Sequence, residues 1–231
     1  MSTKRLAIIA VCLSAALPVL AYTREDHRLE ACREVTEEFL GMKENIPRSL
    51  IDKAECVAVF PSVKKFAFGF GGRYGKGAVS CRTEEGKGAW GPPLMVSLGG
   101  GSFGLQIGGQ AADLVFLVMN PKGMDYLLKS QFTLGAEASV SAGPVGRTGA
   151  ADTDLRKQAE ILSYSRTRGL FAGLSLEGAV VKQDKDGNLH LYGEDVNPRE
   201  LLLLWGQPMP AAARGFVKVL QDASPRQVAG K

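Results

Sequence analysis

The sequence predicts an α+β fold: a single domain with a strongly curved, glycine-rich, mostly antiparallel sheet and a few short packed helices. Three observations carry that expectation. Between Cys56 and Asn120, short runs of Val, Phe, Leu and Ile alternate with glycines every few residues, as successive strands with close backbone approaches do. Glycine supplies 28 of the 231 residues, about 12% against a usual ~7%, and with no Gly-X-Y period the excess belongs to strands and turns. Outside that stretch, apolar positions three or four apart mark short helices.

The chain divides into three parts. Lys4 and Arg5 precede an apolar run from Leu6 to Leu20 that ends in Val19-Leu20-Ala21, the composition of a secretory signal peptide over residues 1–21. The domain is expected over 22–205 and an Ala/Pro-rich tail over 206–231, ending in one short helix and a frayed terminus. The whole chain carries a formal charge of +4, and the leader holds two basic residues and no acid, so the remainder carries +2. A nearly neutral domain gives no global drive toward nucleic acid, and an anionic partner has to be met by a local patch.

From Arg24 to Met42 the apolar positions Leu29, Cys32, Val35, Phe39 and Met42 define an amphipathic helix. The interleaved Glu30, Glu34, Glu37 and Glu38 favour packing on the sheet over lying in a membrane surface. A short helix at Arg48–Lys53 leads into strands at Cys56–Phe60, Phe66–Arg73, Ala78–Arg82, Leu94–Gly99, Phe103–Gly109 and Leu114–Met119. Pro61 interrupts the first, and Gly-Arg-Tyr-Gly-Lys-Gly reads as a turn between the second and third. Asn120-Pro121 opens a helix over Lys122–Lys129. Strands follow at Thr133–Gly143, Ile161–Arg166, Leu170–Leu176 and Ala179–Gln183, with Pro144–Asp154 a loop. Asp184-Lys-Asp-Gly-Asn188 reads as a hairpin turn into a strand at Leu189–Tyr192, and Pro198 begins a helix to Leu204.

No catalytic constellation emerges, and no enzyme, cofactor or metal is expected. Gly99-Gly-Gly101-Ser-Phe-Gly104 has the letters of a dinucleotide fingerprint, but Leu105-Gln-Ile-Gly-Gly is strand-like where a helix is needed. Asp184-x-Asp186-x-Asn188 lacks the glycine and glutamate positions of a calcium loop. Ser97, Ser102, Ser163 and Ser165 have no readable base, and nothing pairs Glu137, Glu177, Glu194 or Asp195. With no CxxC and only His27 and His190, a zinc cluster lacks ligands. Export leaves Cys32, Cys56 and Cys81. If their segments are neighbouring strands, Cys56 and Cys81 are the natural disulfide pair, and Cys32 lies on the helix's apolar face.

The pattern that points to binding is cationic. Lys64, Lys65, Arg73 and Lys76 lie within one compact stretch, beside Phe66, Phe68, Phe70 and Tyr74. Gathered on one rim they suit a phospholipid headgroup or an acidic protein surface; dispersed, they are a solvated sheet edge.

Ala58-Val-Phe-Pro61, the Phe-Gly-Phe-Gly-Gly-Arg-Tyr-Gly-Lys-Gly-Ala-Val run ending at Val79, and Trp90-Gly-Pro-Pro93 occur in that order. Gly104-Leu-Gln-Ile-Gly-Gly109 and the long motif from Ser163 to Gly178 follow. Together they resemble the SYLF domain, also called the Ysc84 actin-binding domain, over about Ala31 to Val181. The resemblance implies a non-catalytic lipid-binding module whose eukaryotic members bind phosphoinositides and in some cases actin. It places Ala31–Ile51 at the family's amphipathic region and Lys64, Lys65, Arg73 and Lys76 in its motif stretch. Arg166 and Arg168 fall in a Tyr-Ser-x-Ser-Lys-Gly-Leu-Phe-Ala-Gly-like segment. The expectation is an exported periplasmic or secreted domain, bound peripherally to anionic phospholipid through those four cations, with the first helix giving a shallow apolar contact. The alternative is a structural or protein-interaction domain of the cell envelope, with actin a partner only by family analogy.

Overall fold

The computed structural model describes residues 22–42, 46–83, 86, 88–145, 159–167, 170–171, 176–204 and 207–225, and leaves aside the side chains of 67–70, 102–108 and 170–171. The expected signal peptide, most of the loop Pro144–Asp154, and Arg168 lie outside the described residues. The elements are α1 (Arg24–Gly41), α2 (Arg48–Ile51), β1 (Cys56–Cys81), β2 (Leu94–Val118), α3 (Pro121–Leu128), β3 (Gln131–Thr133) and β4 (Val140–Ala142). They continue with β5 (Ile161–Thr167), β6 (Leu170–Phe171), β7 (Val180–Gln183), α4 (Lys185–Tyr192), α5 (Pro198–Leu204) and α6 (Arg214–Ala223). This is one α+β domain.

Its frame is a two-stranded ribbon. β1 and β2 run antiparallel from Cys56 opposite Val118 to Val79 opposite Leu94, with register shifts between Phe60 and Val63 and between Ala67 and Gly69. The outer edge of β2 takes β5 along 113–118 and β7 along 96–99. β3 lies beyond β7, while β4 joins β5 as a parallel neighbour, so the sheet is mixed.

The ribbon also doubles back, bringing the two ends of β1 together. Arg82 N donates to Glu55 O at 2.8 Å, and Cys56 and Cys81 form a disulfide with Cα atoms 4.0 Å apart. Farther along, Gly77 lies against Val59, and Gly75 against Val63. Those pairs place the halves of β1 side by side and antiparallel. The expected turn at Gly-Arg-Tyr-Gly-Lys-Gly is therefore corrected. β1 runs through it unbroken, and its glycines serve close approach: a Cβ at Gly77 would stand 2.0 Å from Val59 O. Pro61 does not end the strand either. It sits at a bulge between Phe60 and Val63, with Ser62 at φ 52°.

Helices cover both faces of the curled sheet. On one face α1, α2 and α6 pack Leu29, Cys32, Phe39, Ile51, Phe216 and Leu220 against Val57, Val59, Ala78, Met95, Val115 and Leu117. On the other, α3 and α5 pack Met124, Leu127, Leu201 and Leu202 against Phe60, Val79, Leu98 and Phe116. α1 opens with a capping box, Thr23 Oγ1 accepting from Asp26 N while Asp26 accepts from Thr23 N. The segment set apart as a tail supplies α6. Ser224 beyond it is gripped by buried Arg82, which donates to its carbonyl at 2.7 Å and stacks 4.3 Å over Trp90.

A second correction concerns Asp184–Tyr192, which forms helix α4 rather than a hairpin and strand. Asp184 is its N-cap, accepting from Gly187 N, and Gly193 closes it at φ 78°. Asp-x-x-Gly serves a cap as well as a turn. Gly187 is tied to the site: a Cβ there would lie 2.8 Å from Asp184 Oδ2 and 3.1 Å from Arg28 Nη1.

Gly77→Ala is expected to cost about 1–3 kcal/mol of stability by overpacking. Gly101→Ala, on open backbone, is expected to cost nothing. Urea unfolding of the two variants checks this.

Candidate docking surface

The bulge decides which way the charged stretch faces. Phe60 and Val63 both enter the α3–α5 face, so the extra residue reverses the alternation beyond it. Lys65 then shares the side of Val63, and Lys64 and Phe66 turn to the α1 side. From the other end, Val79 belongs to the α3–α5 face and Ala78 to the α1 face. Arg73 therefore points to the former and Tyr74 and Lys76 to the latter. The bulge is held by Asp113, whose Oδ1 accepts from Ser62 N at 2.9 Å and whose Oδ2 accepts from Arg166 at 2.7 Å.

The four predicted cations do not form one patch. Lys76 donates to Asp184 Oδ2 at 2.8 Å, and Arg28 of α1 donates to the same atom at 2.7 Å. Lys76 is thus part of the anchor of α1. Arg73 is buried and its pKa is lowered by that burial. Lys65 lines a small cavity with it, beside Val63, Gln110 and Ala112 on the α3–α5 side. Lys64 alone of the four is exposed, and it makes no ion pair among the described residues.

Nor does α1 offer its apolar face. Leu29, Cys32, Val35 and Phe39 are buried, and both ends are anchored. Arg28 holds Asp184, and Glu38 accepts from Arg166, which also bonds Asp113. The expected shallow contact through this helix is corrected: its apolar side belongs to the core.

What the ribbon exposes is a short stretch of the α1-side face beyond α1. Phe66 is 61% and Tyr74 55% exposed, and Lys64 stands with them. Because Val63 abuts Gly75, Lys64 and Tyr74 are cross-strand neighbours. Across β2, Phe66 pairs with Gly109, Lys64 with Ala111, and Tyr74 with Gly99. Two rings and an ammonium therefore rise from a floor that is otherwise glycine and alanine. Sequence reasoning named the rings but missed this floor. The signal for it was glycine at alternate positions, 99 and 101, which strips one face of a strand.

The other candidates stay apart. Among the described residues no group of three His, Cys, Asp or Glu could hold a metal ion. His190 lies 3.8 Å from Glu25 at the end of α1. Ser97 Oγ donates to Lys182 O and Ser163 Oγ to Ser141 O, within the sheet. Glu137 accepts from Thr133 N, and Glu194 from Gln207. Ser102 lies where side chains are not described. Cys32 of α1 is a free thiol, buried against the sheet. No described helix is long and apolar enough to cross a membrane.

Burial alone would raise the Asp184 pKa, but hydrogen bonds and charge from Lys76 and Arg28 outweigh it and hold the carboxyl below its ordinary 3.8. A lowered folded-state pKa contributes stability that is present above the unfolded value and lost as pH falls through the folded one. Asp184→Asn is expected to cost about 3 kcal/mol at neutral pH, because it leaves Lys76 without its anion and Arg28 with only Glu25, 3.7 Å away. It also removes part of the stability decline that the wild type shows below about pH 4. Denaturant midpoints across pH measure both effects.

Comparison with known proteins places this architecture. Residues 99–223 match the Ysc84 family model, described as "Las17-binding protein actin regulator". The chain is 38% identical over 188 residues to an SH3 domain-containing protein of Schizosaccharomyces pombe, covering 79% of this chain and 42% of that protein. It is 34% identical to the SH3 domain-containing YSC84-like protein 1 of Rattus norvegicus, covering 79% and 53%. Against Protein YSC84 of Saccharomyces cerevisiae it is 29% identical, covering 79% and 39%. The chain thus spans about half or less of these relatives' length, and the first two carry the names of SH3 domain-containing proteins. The chain belongs to the Ysc84 family, whose shared unit is the SYLF domain.

Proposed function

We propose that the protein is a non-catalytic module that binds peripherally to lipid surfaces, anionic phospholipid among them, through the exposed end of its curled ribbon. One observation carries the reading: Phe66, Tyr74 and Lys64 stand together on sheet backbone that no described helix covers. An apolar ring, an amphipathic ring and a long cation are the residue types that settle at a bilayer interface. One exposed lysine contributes on the order of 1 kcal/mol at an anionic surface. Charge is therefore the smaller part of the attraction, and the rings are the larger.

We place the protein in an exported, oxidising compartment of the cell envelope. The leader-like residues 1–21 and the Cys56–Cys81 disulfide support that location.

A second reading is a protein partner on the same face, favoured by the family description, which names a protein-binding regulator of actin. Co-sedimentation separates the two. The membrane reading expects the protein to pellet with phosphatidylcholine–phosphatidylglycerol vesicles. Phe66→Ala with Tyr74→Ala should abolish pelleting, and Lys64→Glu should weaken it about fivefold or more at low salt. Folded wild-type protein that ignores vesicles yet pellets with actin filaments would overturn the membrane reading and establish the second.

A further inference from the structure

Lys65 and Arg73 stand on opposite arms of β1 and meet across the seam between them. The Val63–Gly75 contact sets the register of that seam, and two residues farther along each arm 65 comes opposite 73. A shared cavity gives the same result independently: Val63, Lys65, Arg73, Gln110 and Ala112 line it. Across the ladder with β2, Lys65 lies opposite Gln110 and Arg73 opposite Gly100. Gln110, Lys65, Arg73 and Gly100 therefore make one row across the ribbon on the α3–α5 side.

The row is cationic, and the cavity does not answer its charge. The other side chains lining it, Val63, Gln110 and Ala112, are neutral. Lys65 is half-buried and makes no ion pair among the described residues. Arg73 is 9% exposed, and a guanidinium keeps its charge at any ordinary pH. Gly178 and Ala179 close the far end of the row: a Cβ added at Gly100 would stand 3.3 Å from Gly178 O and 3.2 Å from Ala179 Cα. Like charges directly opposite on adjacent strands push the strands apart. The arms are tied at their base by the Cys56–Cys81 disulfide and the Arg82–Glu55 hydrogen bond, far from this row. The donors, by contrast, converge. Arg73 presents a fork of N–H groups and Lys65 an ammonium, and Gln110 Nε2 has a hydrogen beyond the one it gives Thr167 Oγ1 at 3.2 Å. Several donors and a net positive charge around one small space suit an ion with several oxygens.

We propose that this cavity binds a small phosphate-class oxyanion, which bridges Lys65 and Arg73 and pins the two arms of the ribbon together. Lys64 and Tyr74 are the chain neighbours of these two residues and point to the other face, so the same ion braces the surface that carries them. Phosphate is carried by lipid headgroups as well as by ions in solution. A bilayer resting on Phe66 and Tyr74 lies across the sheet from the cavity, so the site belongs to the free ion. It stands whichever partner the rings meet.

The test uses the full folded chain at neutral pH and fixed ionic strength, with millimolar inorganic phosphate replacing chloride. The melting temperature is expected to rise by about 2–4 °C as phosphate saturates the site. Phosphate should also shift the amide resonances of Lys65, Arg73 and Gln110. Lys65→Gln removes one of the facing charges, so it should melt no lower than wild type in chloride and gain nothing from phosphate. The same variant should pellet with phosphatidylcholine–phosphatidylglycerol vesicles as wild type does. No phosphate response in folded wild type, or one equally large in Lys65→Gln, would overturn the ion site. A Lys65→Gln variant that melts lower in chloride would overturn the repulsion on which the site rests. Loss of vesicle binding in Lys65→Gln, with wild type indifferent to phosphate, would assign the row to a headgroup and overturn the free ion. Absence of vesicle binding beside an intact phosphate response would overturn the membrane reading alone.

Discussion

The constraint on which the rest depends is steric: β1 lies against itself. A strand of this length, if straight, would span roughly 85 Å, yet its two ends are joined by a disulfide and by a hydrogen bond between Arg82 and Glu55. That return is possible only where the facing backbone carries no side chain, at Gly75 and Gly77. Because β2 pairs with β1 on both sides of its two register shifts, its two halves are carried to opposite sides. There they receive β5 and β7 at different places along one strand. Sheet order, curvature and the division into two cores all follow from this doubling.

The exposed end of the ribbon inherits its character from the same geometry. The bulge at Pro61–Ser62 reverses alternation once, sending Lys64 and Phe66 to the α1 side and Lys65 to the other. Without the extra residue Phe66 would face the second core. Asp113 fastens the bulge and, through Arg166 and Glu38, one end of α1. Asp184 fastens the other end through Arg28 while holding Lys76. Lys76, which looks like a ligand contact in the sequence, and Arg166 are in this way fixings that stop α1 short of the ribbon's end. The rings beyond it are left uncovered.

Much of this was legible in the residues, and the gaps have physical causes. The three-and-four spacing from Leu29 to Phe39 marked α1 and its buried side, because a helix against a sheet leaves that period in any context. The pairing of Cys56 with Cys81 followed once their segments were taken as neighbours. The passage from Arg73 to Gly77 misled because glycine permits both a turn and a close strand crossing, and only the partner backbone distinguishes them. Asp184–Asn188 misled for a related reason: an aspartate followed by glycine caps a helix as readily as it turns a hairpin. The grouping of four cations fails because Lys64 and Lys65 are adjacent on one strand and Arg73 and Lys76 three residues apart, so each pair divides between the two faces, a division that composition does not show. The family resemblance identified the domain, but not which side of the sheet is bare.

The central claim is that β1 folds against itself and so sets Lys64 beside Tyr74. Nuclear Overhauser contacts on isotope-labelled protein test it most directly. The account predicts contacts linking residues 63–64 to 74–75, in addition to those joining each segment to β2 at 99 and 111. If those across β2 are present while the contacts within β1 are absent from a folded sample, the ribbon does not double back. Phe66, Tyr74 and Lys64 would then not share one surface.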